Sequence, residues 1–308
     1  MNGTYIDTPV LLLGFNRPRE ISLVLGKLKD NRVRHLFVSV DGPRLGIPEE
    51  AAKVSLVRKL VLSADWDCRV ETLFNEHNLG LKRSVSQAIE WFFGRVERGI
   101  ILEDDCVPSS DFFRFCQTML EVYKDDKRIM TVSGNNFHYS FPGTISSYYF
   151  SKYPLIWGWA TWKRAWEMYD YSMAKWPEAR AAGWLHDILK EKRYVKYWDD
   201  IFQRTYADEN SSWAYRWIFA NWMNSGLTIL PASNLVSNIG FSEEATHTRK
   251  KIRVANAQTE KLEFPLTPPE KIVFDPFMDK AIQEKHFSLS WYQKVRHKMY
   301  MTGIINKF

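Results

Sequence analysis

Cysteine is the scarcest informative residue in this sequence. Cys68, Cys106 and Cys116 are the only three cysteines in 308 residues, and they form neither an even set nor a Cys-x-x-Cys pair. This pattern argues against a disulfide framework and indicates a reducing compartment.

The sequence also lacks the segments that carry a protein to or through a membrane. Its first ten residues, MNGTYIDTPV, contain no basic stretch followed by an apolar core, so we expect no signal peptide. No apolar run approaches the roughly 20 residues that span a bilayer, and no internal repeat is visible. We therefore expect a cytoplasmic protein that would meet a membrane only peripherally, at its inner face.

Aromatic residues and positive charge, in contrast, are abundant. The chain has 13 Trp, 14 Tyr, 19 Phe, a hydrophobic content of 45% and a net charge of +6. The charge favours anionic ligands or an anionic surface. Because the basic residues are dispersed and no nucleic-acid-binding module is recognisable, nucleic acid is not an expected partner.

Four strand-and-helix units fill roughly the first third of the chain. The apolar segments 9–15, 35–40, 69–74 and 99–102 predict buried strands, and a helical pattern follows each of them. Such alternation predicts a parallel sheet with helices on both faces. Further on, we predict strands over 128–133 and 227–230, helices over 161–169, 176–210 and 213–222, and a loop over 135–153.

Three adjacent acids end the fourth predicted strand. Glu103, Asp104 and Asp105 follow directly after its apolar run. Ligands of open α/β sheets bind at the carboxyl ends of the strands, and carboxylates that would otherwise repel each other suit Mg²⁺ or Mn²⁺ bound to a diphosphate. The alternative is an acidic loop before a helix N-terminus, where the backbone dipole favours negative charge.

The other predicted strand ends carry basic, acidic and amide side chains. Arg17 follows the first strand, Asp41 the second, and Asn78 with Lys82 and Arg83 the third. Cations and acids at one sheet edge are what a nucleoside diphosphate with a metal requires. Taken singly, Asp41 could be a turn former, and Lys82 or Arg83 a solvated helix position.

Two later segments of the sequence contain further candidate site residues. Trp157 and Trp159 flank Gly158 outside any periodic pattern, which leaves a ligand-facing role and a core role both open. Glu244 and His247 lie close together in a loop-rich stretch, where the histidine is either a structural hydrogen bonder or part of a metal shell.

The last 24 residues contain no acid. Trp291, Val295 and Met299 recur every four residues among lysines and arginines. This pattern is typical of a basic amphipathic helix on an anionic membrane, and equally of a helix docked on the domain with a solvated basic face.

Taken together, these motifs resemble the GT-A fold of nucleotide-sugar glycosyltransferases, closest to N-acetylglucosaminyltransferase I and a bacterial hemolysin-like group. The resemblance covers roughly residues 9–248 and is carried by GFNRP at 14–18, VDG at 40–42, EDD at 103–105, DFF at 111–113, WGW at 157–159, NLVSNIG at 234–240 and ATHT at 245–248. It implies one α/β domain with a Rossmann-like, mostly parallel sheet and a C-terminal helical extension.

The resemblance also implies a division of the chain and a role for each matching residue. Residues 1–134 would form the nucleotide-sugar-binding half, 135–248 the acceptor-binding half, and 249–308 a linker and basic tail. The implied metal ligands for Mn²⁺ or Mg²⁺ are Asp105 and His247. The implied donor-binding residues are Asn16, Arg17, Asp41, Asn78, Lys82, Arg83, Glu103 and Asp104, with Asp41 at the nucleobase. The implied acceptor pocket contains Trp157, Gly158 and Trp159.

The implied activity is an inverting, metal-dependent transfer of a sugar from a nucleoside diphosphate, UDP above all, to a glycan acceptor that the basic tail suggests is lipid-linked. Many relatives have Asp where this chain has Ala214, so Asp200 and Glu244 are the remaining candidates for the catalytic base. Two alternatives stand beside this prediction. A nucleotidylyltransferase would need a Gly-rich, Arg-containing loop that GFNRP does not supply, and Ala214 motivates a non-catalytic binder of sugar nucleotides or glycans.

Overall fold

The structure is a computed structural model that describes residues 5–136, 146–240 and 257–287. Its strands are β1 (Val10–Gly14), β2 (His35–Val40), β3 (Arg69–Phe74), β4 (Arg98–Glu103), β5 (Cys106–Pro108), β6 (Ile129–Ser133), β7 (Tyr148–Ser151), β8 (Trp159–Trp162), β9 (Leu227–Pro231) and β10 (Val236–Asn238). Its helices are α1 (Pro18–Asp30), α2 (Pro48–Leu62), α3 (Leu81–Phe93), α4 (Ser110–Val122), α5 (Lys163–Trp166), α6 (Trp176–Ala181), α7 (Leu185–Ile188), α8 (Lys192–Tyr206), α9 (Ala214–Met223) and α10 (Pro276–His286).

One eight-stranded sheet organises these elements, in the order β3-β2-β1-β4-β8-β6-β9-β7. β3, β2, β1 and β4 are parallel, as are β6 and β9, whereas β8 and the edge strand β7 run antiparallel to their neighbours. β5 and β10 pair separately as a short antiparallel ribbon. The predicted α/β class with a large, mostly parallel, Rossmann-like sheet is confirmed.

Alternate side chains of the first strand explain why helices cover both faces of the sheet. Val10 and Leu12 pack in one cluster with α1, α2 and α4, whereas Leu11 and Leu13 pack in another with α3, α5 and α9. Successive side chains of a strand point to opposite faces. An uninterrupted apolar run is therefore the correct pattern for a strand that is buried on both sides.

The structure corrects the prediction for the tryptophan-rich segment. Residues 159–162 form β8 between β4 and β6, and the helix that follows is only the four-residue α5. All four residues of β8 are buried, because the strand lies inside the sheet, where aromatic and β-branched side chains pack well. The predicted loop over 135–153 also contains β7, and the predicted helix over 176–210 is divided into α6, α7 and α8.

Helix α10 closes an aromatic cluster around Trp198 at the far end of the sheet. Gln283 of α10 accepts hydrogen bonds from the Trp198 indole at 2.7 Å and from the Tyr153 hydroxyl at 2.8 Å. One turn earlier, Asp279 is 5% exposed and accepts from the Ser151 hydroxyl at 2.5 Å.

The C-terminal helical extension is thus present, while the predicted amphipathic tail lies outside the described residues. Among the described helices, none is both long and apolar enough to cross a bilayer.

The buried carboxyl of Asp279 gives α10 a pH-dependent attachment. Burial raises the pKa of Asp279 to about 6, although the Ser151 hydroxyl opposes the shift. The folded state therefore holds more protons than the unfolded chain between about pH 4 and 6, so this group's contribution to stability falls as pH rises through that window.

We expect Asp279→Asn to flatten that dependence, because the amide keeps an acceptor for Ser151 and cannot ionise. The difference in the free energy of unfolding between the variant and the parent should change by about 2 kcal/mol between pH 4 and 7. Urea unfolding at each pH measures it. Asp65→Asn, at an exposed ion pair with Lys29, is the control. If the free energy of unfolding of Asp279→Asn varies with pH as steeply as that of the parent, this carboxyl does not cause the pH dependence.

Candidate functional site

A cavity of about 480 Å³ opens at the carboxyl ends of β1, β2 and β4, beside the first turn of α3. The structure brings together there seven residues that the sequence singled out: Asn16, Arg17, Asp41, Asn78, Glu103, Asp104 and Asp105. The parallel register explains the convergence, since Gly14 lies opposite Val40 and Leu13 opposite Glu103. Residues that follow each strand therefore reach the same edge.

Arg17 is the counter-ion of the acid pair. One guanidinium nitrogen, Nη1, lies 3.2 Å from Asp104 Oδ1 and 2.7 Å from Asp105 Oδ2. The second Asp104 oxygen accepts the backbone N–H of Phe15 at 3.3 Å. Burial raises the pKa of Glu103 and Asp104, the charge of Asp105 raises both further, and the Arg17 charge acts in the opposite direction.

Asp105 is also held from the side of the β5–β10 ribbon. Asn238 Nδ2 donates to its Oδ1 at 3.2 Å, and the Ile239 N–H donates to its backbone carbonyl at 2.9 Å. Gly240 comes so close that a Cβ there would lie 2.1 Å from Asp105 Oδ2. A side chain at position 240 would therefore displace the carboxylate or the backbone that packs on it.

The carboxylate of Asp41 is saturated by donors from its own protein. It is 5% exposed and accepts hydrogen bonds of 2.9 to 3.2 Å. The five donors are the backbone N–H groups of Gly42, Leu79 and Gly80 and the side-chain amides of Asn75 and Asn78. Asp41 thus fixes the 75–80 loop that forms one wall of the cavity, in addition to lining the cavity itself.

We expect Asp41→Ala to destabilise the protein by about 2 to 4 kcal/mol, because several buried N–H groups lose a charged acceptor. Asp65→Ala, which removes an exposed carboxylate, should cost less than about 1 kcal/mol. Equal losses in chemical denaturation of the two variants would contradict the role given to Asp41.

Sequence reasoning missed a second cation at the cavity, Arg44. Glu50, 4% exposed, pairs with the Arg44 side chain, with Nη2 to Oε2 at 2.5 Å, and accepts its backbone N–H at 2.7 Å. Glu50 also accepts from Asn16 Nδ2 at 3.1 Å, and the Arg44 hydrogen bond is the main reason that its pKa is lowered. Its position three residues after Asp41, just beyond a predicted strand end, could have identified Arg44 as a cavity residue.

Lys82 and Arg83 do not line this cavity. Leu81, Ser84 and Val85 face it from α3, and these positions share one side of a helix. Lys82 instead forms an ion pair with Asp208, and Arg83 lies in a neighbouring surface groove.

The predicted acceptor-pocket residues are structural in their observed contacts. Trp159 is 1% exposed and stacks on Trp213 at a centroid distance of 5.7 Å, so it takes the core role that the sequence left open. Gly158 has a φ of +65°, and a Cβ there would meet Val236 at 2.7 Å. The backbone N–H of Trp157 donates to Asn135 Oδ1 at 3.2 Å. None of these three lines the cavity.

Of the two candidate bases, the structure describes Asp200 alone. Asp200 lies on the exposed side of α8 and is not among the residues that line it. Glu244 and His247 lie outside the described residues. Ser211 also lines the cavity. It lies in the loop that leads into α9, whose first residue is Ala214.

A comparison with protein-family models finds no match, and a comparison with curated proteins finds none either. Among solved structures, HddC from Yersinia pseudotuberculosis aligns with a TM-score of 0.33 and 11% identity over 51% of this chain and 77% of HddC. The 4-diphosphocytidyl-2C-methyl-D-erythritolsynthase from Anaerococcus prevotii DSM 20548 aligns with a TM-score of 0.34 and 8% identity over 54% of this chain and 76% of that protein. Both likenesses are too distant to carry an argument about activity, so the function is argued from the cavity itself.

Proposed function

We propose that this protein is a glycosyltransferase that moves a sugar from a nucleoside diphosphate, UDP above all, to a glycan acceptor. One observation carries the proposal: a single cavity at the strand ends combines an apolar wall, two arginines and four acids. An apolar wall suits a nucleobase, cations suit phosphates, and acids suit a divalent cation or sugar hydroxyls. The GT-A-like order of motifs along the chain supports the same function.

The two arginines follow neighbouring strands of the sheet. Arg17 follows β1 and reaches the acid pair, whereas Arg44 follows β2 and is held by Glu50. Guanidinium groups bind phosphate through paired hydrogen bonds. A diphosphate between them would keep its charge compensated before and after the sugar leaves.

The acid pair also fits a divalent cation that is shared with the ligand. Asp104 and Asp105 present adjacent carboxylates, while the described residues contain no group of three or more His, Cys, Asp or Glu that could hold a metal by itself. Mg²⁺ is commonly bound by one or two carboxylates together with substrate phosphates. When bound, such a cation supplies Lewis-acid stabilisation of the departing diphosphate.

An inverting transfer also needs a base for the acceptor hydroxyl. Asp200 and Glu244 stay as the proposed candidates for it, and Ala214 cannot act as one. The position of Ser211 at the cavity supports acceptor binding beside the loop that precedes α9. The proposed acceptor is a glycan, lipid-linked if the basic tail binds anionic lipid.

We expect Asp105→Asn to lower UDP affinity in the presence of Mn²⁺ by at least about tenfold, because a proposed metal ligand loses its charge. Isothermal titration calorimetry measures the affinity, and circular dichroism checks the fold. Asp65→Asn should bind like the parent. Undiminished binding by Asp105→Asn would overturn the site assignment.

Turnover assays on the parent protein separate the candidate functions. With Mn²⁺ present, hydrolysis or transfer across a panel of nucleotide sugars supports a glycosyltransferase. Pyrophosphate release from a nucleoside triphosphate and a sugar 1-phosphate would indicate a nucleotidylyltransferase instead. Tight UDP binding without turnover of any of these substrates would favour the non-catalytic binder.

We expect Arg17→Met to destabilise the metal-free protein by about 1 to 2 kcal/mol, since two neighbouring carboxylates lose their shared counter-ion. Mn²⁺ should then raise the melting temperature of Arg17→Met more than that of the parent, because the cation replaces the missing charge. Arg34→Met, at an exposed pair with Asp7, is the control. Equal Mn²⁺ shifts in all three proteins would exclude the acid pair as the cation site.

A further inference from the structure

One hydroxyl in the cavity has no hydrogen-bond partner. Ser39 of β2 is 2% exposed, and its Oγ is buried without a donor or acceptor among the described residues. Of the buried unpartnered side-chain atoms in the described residues, it is the one that lines this cavity. A hydroxyl that is buried without a partner has lost its hydrogen bonds to water, so a ligand that satisfies it gains that interaction on binding.

Part of the cavity wall beside Ser39 is aliphatic. Leu13 is its cross-strand neighbour on β1, and Leu81 and Val85 line the same cavity from α3, together with Ser84. Leu13 and Val85 are 7% and 5% exposed. A ribose, a transferred sugar or a phosphate placed here would leave several polar groups against aliphatic carbon. A flat heterocycle with polar atoms only at its edge suits this wall.

Asp41, the residue that the resemblance places at the nucleobase, has no acceptor capacity left for it. A carboxylate offers about four lone-pair positions, and the five protein donors already occupy both oxygens. A base N–H could bind there only by displacing a donor that fixes the 75–80 loop. Ser39 offers a free donor and a free acceptor at the same strand end.

We propose that Ser39, and not Asp41, recognises the nucleobase: its hydroxyl hydrogen-bonds an edge atom of the base, whose ring lies against Leu13 and Val85. This inference rests on the proposed function, because it takes a nucleoside diphosphate as the ligand. Asp41 then acts as a positioning residue that shapes the wall of the same cavity.

The test compares Ser39→Ala with Thr228→Val. Thr228 of β9 also buries an unpartnered hydroxyl, but it does not line the cavity. Calorimetric titrations use UDP, CDP, ADP, GDP and inorganic pyrophosphate. Ser39→Ala should weaken binding of the preferred nucleotide roughly 3- to 10-fold, the effect of one neutral hydrogen bond, and reduce the preference between bases by the same factor. Pyrophosphate binding should not change.

Thermal unfolding of the free variants separates recognition from structure. Because the Ser39 hydroxyl has no partner, Ser39→Ala should melt at or above the parent temperature while binding nucleotide more weakly. Thr228→Val should bind like the parent. Parent-like affinity and base preference in Ser39→Ala would overturn the inference while the proposed function stands. Failure of the parent to bind any of the four nucleotides would overturn the proposed function, and this inference with it.

Discussion

Carboxylates that leave water at the edge of a sheet must each find a cation or a set of donors, and this constraint shapes the whole site. Asp41 is satisfied by five donors from the loops that follow β2 and β3. Asp104 and Asp105 share the Arg17 guanidinium, and Glu50 takes Arg44. The Asp41 and Arg17 pairings join separate strand ends, and the Arg44 pairing joins the loop after β2 to α2, so neutralising the acids also fixes the walls of the cavity.

The first four strands and the later elements are joined by the sheet and by tryptophan packing. β8, β6, β9 and β7 continue the sheet beyond β4, and Trp213, just before α9, and Trp217 of α9 pack against Trp159. Arg216, 3% exposed, donates to the carbonyls of Thr205 and Tyr171. These contacts hold the loop that carries Ser211 at the cavity.

The sequence was informative wherever a local pattern also decided the tertiary position. Apolar runs ending in polar residues located β1, β2, β3 and β4, and with them the residues that converge at the cavity. The last two residues of β8 were predicted as helix because Trp162 and Trp166 have helical spacing. Only the pairing of this segment with β4 and β6 makes it a strand. The helical content of 176–210 was visible, but not its division into three helices.

Within the site, the sequence predicted which residues lie at the strand ends. It did not predict the hydrogen-bond partners of those residues. An acid after a strand suggests a ligand contact, yet nothing local shows that loops 34 to 39 residues away saturate Asp41. Arg44 and Ser39 escaped notice for a related reason. Arg44 is positioned by a buried glutamate in the next helix. Ser39 lies within an apolar strand, where a single serine does not indicate a ligand contact.

The ribbon of β5 and β10 has a consequence for what the cavity can accept. Glu103 ends a strand of the main sheet and Cys106 begins a strand paired with Asn238, so the two residues between them are tethered at both ends. The backbone that carries Asp104 and Asp105 is therefore held on both sides. For the proposed cation site, this means that the two carboxylates can change their separation by side-chain rotation, while the backbone beneath them stays in place.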